Sequence, residues 1–448
     1  MISKLSKHDS MNAATNIRFR ANPGGALTGR IRVPGDKSIS HRSIMLGSLA
    51  EGITEVSGFL EGEDSLATLA AFRAMGVHIE GPYKGHVRVH GVGLHGLKAP
   101  TQPLYLGNSG TSMRLLAGLL AGQAFDTELT GDASLSKRPM RRVTEPLAKM
   151  GARIDTAEGG TAPLKIHGGQ NLQAIDYVLP MASAQVKSCV LLAGLYAQGR
   201  TCTTEPAPTR DHTERMLRGM GYSVEVSGAT ACLEGGGHLQ ATPIDVPADI
   251  SSAAFFLVGA SIATGSDLVL EHVGMNPTRT GVIDILRAMG ANIEVQNPRE
   301  VGGEPVADLR VRSARLQGID IPPELVPLAI DEFPVLFVAA ACAEGRTVLT
   351  GAEELRVKES DRIQVMADGL QHMGIDALPT PDGMIIVGGR LGQGQVNSHG
   401  DHRIAMAFAM AALRASGPID IDDCANVNTS FPSFIDLARR AGLAVSQM

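Results

Sequence analysis

The fold is decided by a short unit that recurs six times, and its first copy is Phe72-Arg73-Ala74-Met75-Gly76-Val77-His78-Ile79. In each copy an apolar helix runs into Met-Gly or Ala-Gly, and a short alternating strand follows. The glycine suits the left-handed position that ends a helix, so the strand turns straight back. The six glycines are Gly76, Gly151, Gly221, Gly290, Gly374 and Gly442, spaced 75, 70, 69, 84 and 68 residues apart. This near-constant spacing predicts six repeats of helices and strands.

A second repetition divides the chain into two halves. Ile31-Arg32-Val33-Pro34-Gly35-Asp36 is echoed by Ile244-Asp245-Val246-Pro247-Ala248-Asp249, and a serine-rich helix start follows each copy. Three of the glycine units lie after each copy, which predicts two domains of three repeats joined by short extended crossings that act as a hinge. The expected bounds are 37–246 for the first domain, 25–36 plus 247–448 for the second, and 34–36 and 246–249 for the crossings.

Composition restricts the class of protein. A chain of 448 residues is too long for one ordinary core, and 44% hydrophobic and 19% charged residues are typical of globular proteins. A net charge of −6 predicts no general attraction to nucleic acid or to an anionic membrane. Residues 1–24 are polar and lack the apolar segment of a secretory signal, so we expect a disordered leader and a cytoplasmic protein.

Cysteine and histidine indicate neither disulfides nor a metal. The cysteines are scattered, odd in number and never in a CxxC, which is typical of a reducing compartment without a disulfide framework. They are Cys189, Cys202, Cys232, Cys342 and Cys424. The thirteen histidines form no HExxH or other ligand-like cluster, so we expect no metal site. His212 and His402 are interpreted as residues of helix caps or local hydrogen bonds.

Basic residues collect where loops enter helices. The stretch from Val33 to Arg42 loads a helix start with Lys37, Arg42 and two serines, of which Ser38 or Ser40 can cap the first turn. In a second loop Gly110 allows a ligand to approach backbone N–H groups. Each site alone is better explained by a capped helix with solvated charges than by a catalytic role. Together they predict a cleft between two domains that binds several carboxylate or phosphate groups.

Six stretches resemble, in order, the motifs of the 5-enolpyruvylshikimate-3-phosphate synthase family (3-phosphoshikimate 1-carboxyvinyltransferase), in its class II form. They are Pro34 to Arg42, Asn108 to Arg114, Lys137 to Met140, Met181 to Gln185, Arg356 to Arg362 and Asp401 to Arg403. The resemblance covers residues 25–448. It implies an α/β fold, a two-domain inside-out α/β barrel of six βαβαββ repeats, with helices inside and sheets outside.

The resemblance also implies a reaction. The enolpyruvyl group of phosphoenolpyruvate passes to the 5-hydroxyl of shikimate 3-phosphate and phosphate is released, by addition and then elimination. This is a step of the shikimate pathway to chorismate and the aromatic amino acids. It implies no cofactor, a monomer, and inhibition by glyphosate, which occupies the phosphoenolpyruvate site in this family.

Residue roles follow from the same resemblance. Asp331 is expected to be the base, Glu359 the acid, and Lys37 a third catalytic group. Shikimate 3-phosphate is expected to contact Lys37, Ser38, Arg42, Ser183, the backbone of Ala184, Gln185, Arg210, Asp331 and Lys358. Phosphoenolpyruvate is expected to contact Lys37, Asn108, Gly110, Arg138, Gln185, Arg362 and Arg403. Thr429 departs from the family pattern, which often has lysine there, so one phosphoenolpyruvate contact is lost or replaced.

Two other functions fit part of the pattern. The enolpyruvyl transferase that acts on UDP-N-acetylglucosamine has the same fold, but it usually carries a reactive cysteine in its N-terminal half, and no cysteine precedes Cys189 here. A non-catalytic protein that binds phosphorylated metabolites would not need the carboxylates Asp331 and Glu359.

Overall fold

The computed structural model describes residues 17–448, which form six small sheets around buried helices. The first half of the chain supplies helices α1 (Lys37–Leu49), α2 (Glu63–Ala74), α3 (Gly110–Ala121), α4 (Arg141–Lys149), α5 (Ala184–Gly194) and α6 (His212–Gly219). Its strands are β3 (Glu51–Ser57), β4 (His78–Tyr83), β5 (His86–Val92), β6 (Leu104–Tyr105), β7 (Thr127–Thr130), β8 (Arg153–Ala157), β9 (Thr161–His167), β10 (Asp176–Val178), β11 (Arg200–Thr204), β12 (Glu225–Ser227), β13 (Thr230–Glu234) and β14 (Ile244–Asp245). The sheet orders are β14-β3-β5-β4, β6-β7-β9-β8 and β10-β11-β13-β12.

The second half repeats this arrangement and takes in the first two strands. Its helices are α7 (Ile250–Ile262), α8 (Gly281–Ala288), α9 (Phe333–Ala341), α10 (Arg362–His372), α11 (His402–Ala411) and α12 (Phe434–Ala441). Its strands are β1 (Phe19–Ala21), β2 (Thr28–Ile31), β15 (Asp267–Gly274), β16 (Asn292–Val301), β17 (Glu304–Arg312), β18 (Arg346–Leu349), β19 (Asp376–Thr380), β20 (Gly383–Val387), β21 (Gly394–Asn397), β22 (Ile419–Asp422) and β23 (Val445–Gln447). The sheet orders are β16-β17-β15-β2, β18-β20-β19 and β21-β22-β1-β23.

Three helices of each half lie in the interior. Helices α7 and α9 are buried along their whole length, and α1, α3, α5 and α11 along most of it. The apolar side chains form two separate cores. One runs from Ile39 to Val246, and the other joins Phe19–Val33 to Ala248–Val445. Helices inside and sheets outside confirm the predicted fold class.

The six predicted helix-ending glycines all adopt left-handed backbone angles. Their φ values lie between +80° and +121°, and each comes within two residues after the end of a helix. Side chains with a Cβ rarely adopt this conformation, which is why glycine recurs at this point of each repeat. The repeat predicted from sequence is therefore confirmed at the level of the backbone.

The two crossings bind each other. The backbone N–H of Asp36 donates to Pro247 O at 2.8 Å, and that of Asp249 donates to Pro34 O at 2.9 Å. The expected serine cap of α1 is wrong, because the helix begins at Lys37 and the residue before it, Asp36, accepts from Ile39 N at 2.9 Å. Asp249 is the capping residue of α7, where it accepts from Ser251 N at 2.7 Å. Symmetry between the halves thus extends to the helix caps.

Glycine is required in one crossing only. A Cβ at Gly35 would lie 1.9 Å from the carbonyl oxygen of Gly58, so no side chain fits there. The second copy has room for Ala248 at the equivalent point.

Part of the expected disordered leader is a strand. Phe19 and Ala21 are buried alternately on β1, which pairs with β22 on one side and β23 on the other. The expectation is wrong for these residues, because a three-residue alternation is too short to stand out in sequence. Residues 1–16 lie outside the part of the chain that the structure describes. Among the described helices, none has both the length and the apolar character needed to cross a membrane.

The cysteines include one disulfide, contrary to expectation. Cys202 on β11 and Cys232 on β13 are direct partners in the antiparallel register and are bonded. Cysteine spacing could not show this, since thirty residues separate the two and only the strand pairing brings them together. The free cysteines within residues 17–448 are Cys189, Cys342 and Cys424.

Candidate active site

The predicted site residues lie at or beside the first turns of helices from both halves. Lys37 begins α1, Gly110 begins α3 and Ala184 begins α5, while Arg362 begins α10 and Arg403 is the second residue of α11. Helix starts carry unpaired N–H groups and a partial positive charge, so they add to the attraction of the basic side chains for anions.

Asp331 is surrounded by four cations. Arg210 of the first half binds its carboxylate directly. The other three cations are Arg362 (Nη1 to Oδ1, 3.3 Å), Lys358 (3.6 Å) and Arg403 (3.9 Å). Burial by itself would raise the pKa of Asp331, but these cations outweigh it and hold the pKa well below its usual range. Asp331 is therefore an ionised acceptor at neutral pH.

Glu359 is also ionised in this arrangement. Arg362 Nη2 donates to its carboxylate at 2.5 Å, and Arg138 of the first half lies 3.8 Å away. Burial raises its pKa, yet Arg362, Arg138 and the nearby His402 bring it well below its usual range. A carboxylate in this state cannot donate a proton until the balance of charge around it changes.

Arg138 and Gly110 form one wall of the site. Arg138 Nη2 donates to Asn108 Oδ1 at 2.6 Å, and a Cβ at Gly110 would lie 3.1 Å from Arg138 Nη1 and 3.2 Å from Arg114 Nη1. The space above Gly110 is thus narrow and faces two guanidinium groups. Arg114 also binds Gln185, whose amide donates to Thr111 Oγ1 at 3.0 Å.

Lys37 has partners that sequence reasoning missed. Its ammonium pairs with Asp64 and donates to Ser430 Oγ at 2.9 Å. Asp64 is only an acidic residue in the first turn of α2, so nothing in the sequence pointed to its partner. Beside Ser430, Thr429 is buried and its hydroxyl donates to Asn426 O at 2.7 Å. A threonine hydroxyl bound to the backbone therefore stands where the resemblance implies lysine, and the next residue, Ser430, contacts Lys37.

Arg42 is a buried cation without a carboxylate partner. Its guanidinium donates to Thr213 Oγ1 at 2.7 Å, Ser188 Oγ at 2.8 Å and Ser38 O at 3.0 Å. Among residues 17–448, no carboxylate oxygen lies within 4.0 Å of it. Burial lowers the pKa of Arg42 to about 10. A buried guanidinium bound only by neutral groups is suited to an anionic ligand.

The remaining predicted residues have structural partners in this form. The hydroxyl of Ser183 caps α5 and accepts from Val186 N. The side-chain amide of Asn276 donates to Asp211 and to Glu304. His212 Nδ1 lies 2.8 Å from Glu304, so this histidine makes a hydrogen bond between the two halves rather than a local one.

Known proteins resemble this chain over nearly its whole length. The family model described as EPSP synthase (3-phosphoshikimate 1-carboxyvinyltransferase) matches residues 21–437. This chain belongs to that family. A protein named 3-phosphoshikimate 1-carboxyvinyltransferase from Methylococcus capsulatus is 73% identical over 96% of this chain and 98% of its own length. The protein of that name from Alkalilimnicola ehrlichii is also 73% identical, over 96% of this chain and 97% of its own.

Solved structures agree with the sequence relatives. The EPSP synthase from Acinetobacter baumannii is 62% identical, with a TM-score of 0.88 over 96% of this chain and all of the other. The enolpyruvyl transferase NikO from Streptomyces tendae, at 16% identity and a TM-score of 0.77, shows the same fold. Membership of the EPSP synthase family confirms the prediction of a carboxyvinyl-transferring enzyme, and it sets aside the alternative of a non-catalytic binding protein.

Proposed function

We propose that the chain transfers the enolpyruvyl group of phosphoenolpyruvate to the 5-hydroxyl of shikimate 3-phosphate and releases phosphate. One observation carries the proposal. Two carboxylates of the second half, Asp331 and Glu359, each pair with an arginine of the first half, Arg210 and Arg138. Paired carboxylates between two domains supply proton acceptors and donors, and the cations around them offset the charges of two anionic substrates.

Shikimate 3-phosphate lies against the first domain in this proposal. Arg42, which lacks a carboxylate partner, binds the substrate carboxylate in a charge-assisted pair. Arg210 and the start of α5 bind its phosphate. The residues assigned to this substrate are Lys37, Ser38, Arg42, Ser183, Ala184, Gln185, Arg210, Asp331 and Lys358.

Phosphoenolpyruvate lies between the two halves. Arg362 and Arg403 bind its carboxylate, while Lys37, Arg138 and the N–H of Gly110 bind its phosphate. Asn108 positions Arg138, and Gln185 is held by Arg114. Lys37 can bind this phosphate while it keeps Asp64 and Ser430, because its ammonium has three N–H donors and these two partners occupy two of them.

The proton transfers follow from the charges. Asp331 is already ionised and accepts the proton of the 5-hydroxyl as that oxygen attacks C2 of phosphoenolpyruvate. Substrate anions neutralise Arg362 and Arg138, the cations that hold down the pKa of Glu359. The pKa of Glu359 then rises, and the group takes up the proton that it delivers to C3. In the second step the C–O bond to phosphate breaks while Glu359, now a carboxylate, takes a proton back from the C3 methyl group, which restores the C2–C3 double bond. The phosphate leaves with the proton that Asp331 accepted, so both carboxylates return to their starting states.

We also propose that closure about crossings 34–36 and 246–249 assembles the site. Residues 37–246 would move as one domain and 25–36 plus 247–448 as the other. The two separate cores support this division. Closure excludes water and strengthens each ion pair within the site.

Three finer statements complete the proposal. The enzyme acts as a monomer, in the cytoplasm, and glyphosate inhibits it by competing with phosphoenolpyruvate. The narrow space above Gly110 supports a glyphosate site. The family resemblance favours a monomer, and the net charge of −6 gives no general attraction to nucleic acid or to an anionic membrane. Sedimentation, cell fractionation and inhibition kinetics test these statements one by one.

Phosphate release tests the reaction itself. The purified enzyme is given phosphoenolpyruvate alone, with shikimate 3-phosphate, or with UDP-N-acetylglucosamine. We expect the wild-type enzyme to release phosphate only when shikimate 3-phosphate is present. The Asp331→Asn variant should release none under the same conditions. The exposed-arginine variant Arg20→Gln, in which only an outer ion pair is lost, serves as the control and retains turnover. Release that depends on UDP-N-acetylglucosamine, or no release at all, would refute the proposed reaction.

A further inference from the structure

The outer face of the first sheet carries a group of potential metal ligands. In the order β14-β3-β5-β4, strand β4 lies at the edge and β5 beside it. His78 and Glu80 are two residues apart on β4, so both side chains point to the same face, and His90 of β5 is the direct cross-strand partner of His78. Ile79 and Val89 point to the core. The strand register alone brings the three polar side chains together.

The ligand atoms are close enough for one ion. His90 Nε2 lies 2.6 Å from Glu80 Oε1, and His78 Nε2 lies 3.9 Å from the same oxygen. One nitrogen of each histidine and one oxygen of Glu80 all lie within 4.8 Å of one another. In a tetrahedral zinc site with ligands near 2.1 Å from the metal, neighbouring ligand atoms are about 3.4 Å apart. Small rotations of these exposed side chains would bring the three ligand atoms from their present distances to the spacing of a tetrahedral zinc site.

Arg88 and Glu55 fix the position of the Glu80 carboxylate beside the two histidines. Arg88 Nη1 lies 3.1 and 3.2 Å from the two oxygens of Glu80, and its Nε donates to Glu55 at 2.7 Å. Glu80 can thus keep one oxygen on Arg88 while the other binds metal, and Glu55 holds Arg88 in place.

The geometry points to a surface site for one divalent ion of the zinc class, bound by His78, Glu80 and His90 with water in the remaining position. Two imidazoles and one carboxylate suit Zn²⁺ or Co²⁺ and do not suit Mg²⁺, which takes oxygen ligands. The site lies on the solvent face of a sheet, apart from the segments before α9 and α10 that carry Asp331 and Glu359. Its role is to tie the edge strand β4 to β5, and it takes no part in the proposed reaction.

Metal binding to the full-length, tag-free enzyme tests the site. Protein freed of metal by chelation is titrated with Zn²⁺ by calorimetry and with Co²⁺ by absorption spectroscopy. We expect wild type to bind one equivalent that His90→Gln and Glu80→Gln lose, with affinity at this site falling about tenfold or more. His86→Gln is the matched control, because His86 is exposed on β5, on the same face as His90, and pairs with Tyr83.

The results distinguish a metal-binding site from a group of side chains that only contact solvent. All four proteins should melt at the same temperature without metal, since the changed side chains face solvent, and Zn²⁺ should raise the melting temperature of wild type and His86→Gln only. Turnover should be the same in all four. Equal zinc binding by wild type and His90→Gln, no binding at all, or a preference for Mg²⁺ over Zn²⁺ would each refute the assignment.

Discussion

Arg279 is the residue whose loss should destabilise the protein most directly. Its side chain is buried beneath both crossings, where its guanidinium lies 3.2 Å from Asp36, 3.5 Å from Asp249 and 3.8 Å from Glu332. It also donates to Ser251 Oγ at 2.6 Å. One arginine of the second half thus binds the two aspartates that cap the first helix of each half.

Replacement of Arg279 by methionine keeps most of the volume and removes the charge. Asp36 and Asp249 are then left buried without the cation that paired with them, and Glu332 keeps Arg403, 3.9 Å away. Removing one partner of a buried ion pair typically costs about 3–5 kcal/mol, because the remaining charge stays buried and uncompensated. Asp36 directly precedes Lys37, so we also expect a raised KM for phosphoenolpyruvate.

Urea unfolding followed by circular dichroism measures the effect, with phosphate-release kinetics in parallel. Arg279→Lys keeps the charge and should lose less stability than Arg279→Met. Arg30→Met is the surface control, since Arg30 pairs with Glu271 at 2.8 Å on the exposed surface. Exposed ion pairs contribute about 1 kcal/mol or less to the free energy of unfolding. If Arg279→Met lost no more stability than Arg30→Met, the buried cluster would not hold the crossings together as argued.

Three further predictions concern the site. Glu359→Gln should still bind shikimate 3-phosphate by calorimetry but lose about 100-fold or more in turnover; near-normal turnover would remove it as the acid. Gly110→Ala puts a methyl 3.1 Å from Arg138 Nη1. It should raise the KM for phosphoenolpyruvate and weaken glyphosate inhibition. If neither the KM nor the inhibition changed, the space above Gly110 would not be narrow as described. The pKa of Asp331 is lower in the folded than in the unfolded protein, so its carboxylate stabilises the fold at pH values above the unfolded pKa, about 4. This contribution is lost as the pH falls through the folded-state pKa of Asp331. Urea unfolding across acidic pH should therefore be less pH-dependent in Asp331→Asn, and identical profiles would refute the argument.

Sequence patterns predicted the features that depend on neighbouring residues. A helix end is decided within a few positions, so Gly76 and its five equivalents were identifiable from their spacing, and so was the doubled crossing of Pro34 and Pro247. Basic residues at the starts of α1, α3 and α10 were identified for the same reason. Their exact caps were not, because Asp36 and Ser38 are both good capping residues and only the true helix start distinguishes them.

The expected site residues followed from a family resemblance. Their charge states depend on contacts between distant elements, which only the structure shows. Glu359 was assigned as an acid, yet Arg362 and Arg138 keep it ionised in this form. The partner of Lys37 could not be predicted, since Asp64 is one of many acidic residues in first turns of helices.

The sequence by itself determined the sixfold repeat, the two halves and the concentration of cations at helix starts. Each of these features rests on a short pattern of neighbouring residues, which can be recognised wherever it recurs along the chain. Only the tertiary structure decided which distant residues meet. The disulfide of Cys202 and Cys232 and the group of His78, Glu80 and His90 both depend on strand register. A shift of one residue in register would turn these side chains to opposite faces. Register is fixed by the packing of whole sheets on buried helices, which no local pattern contains.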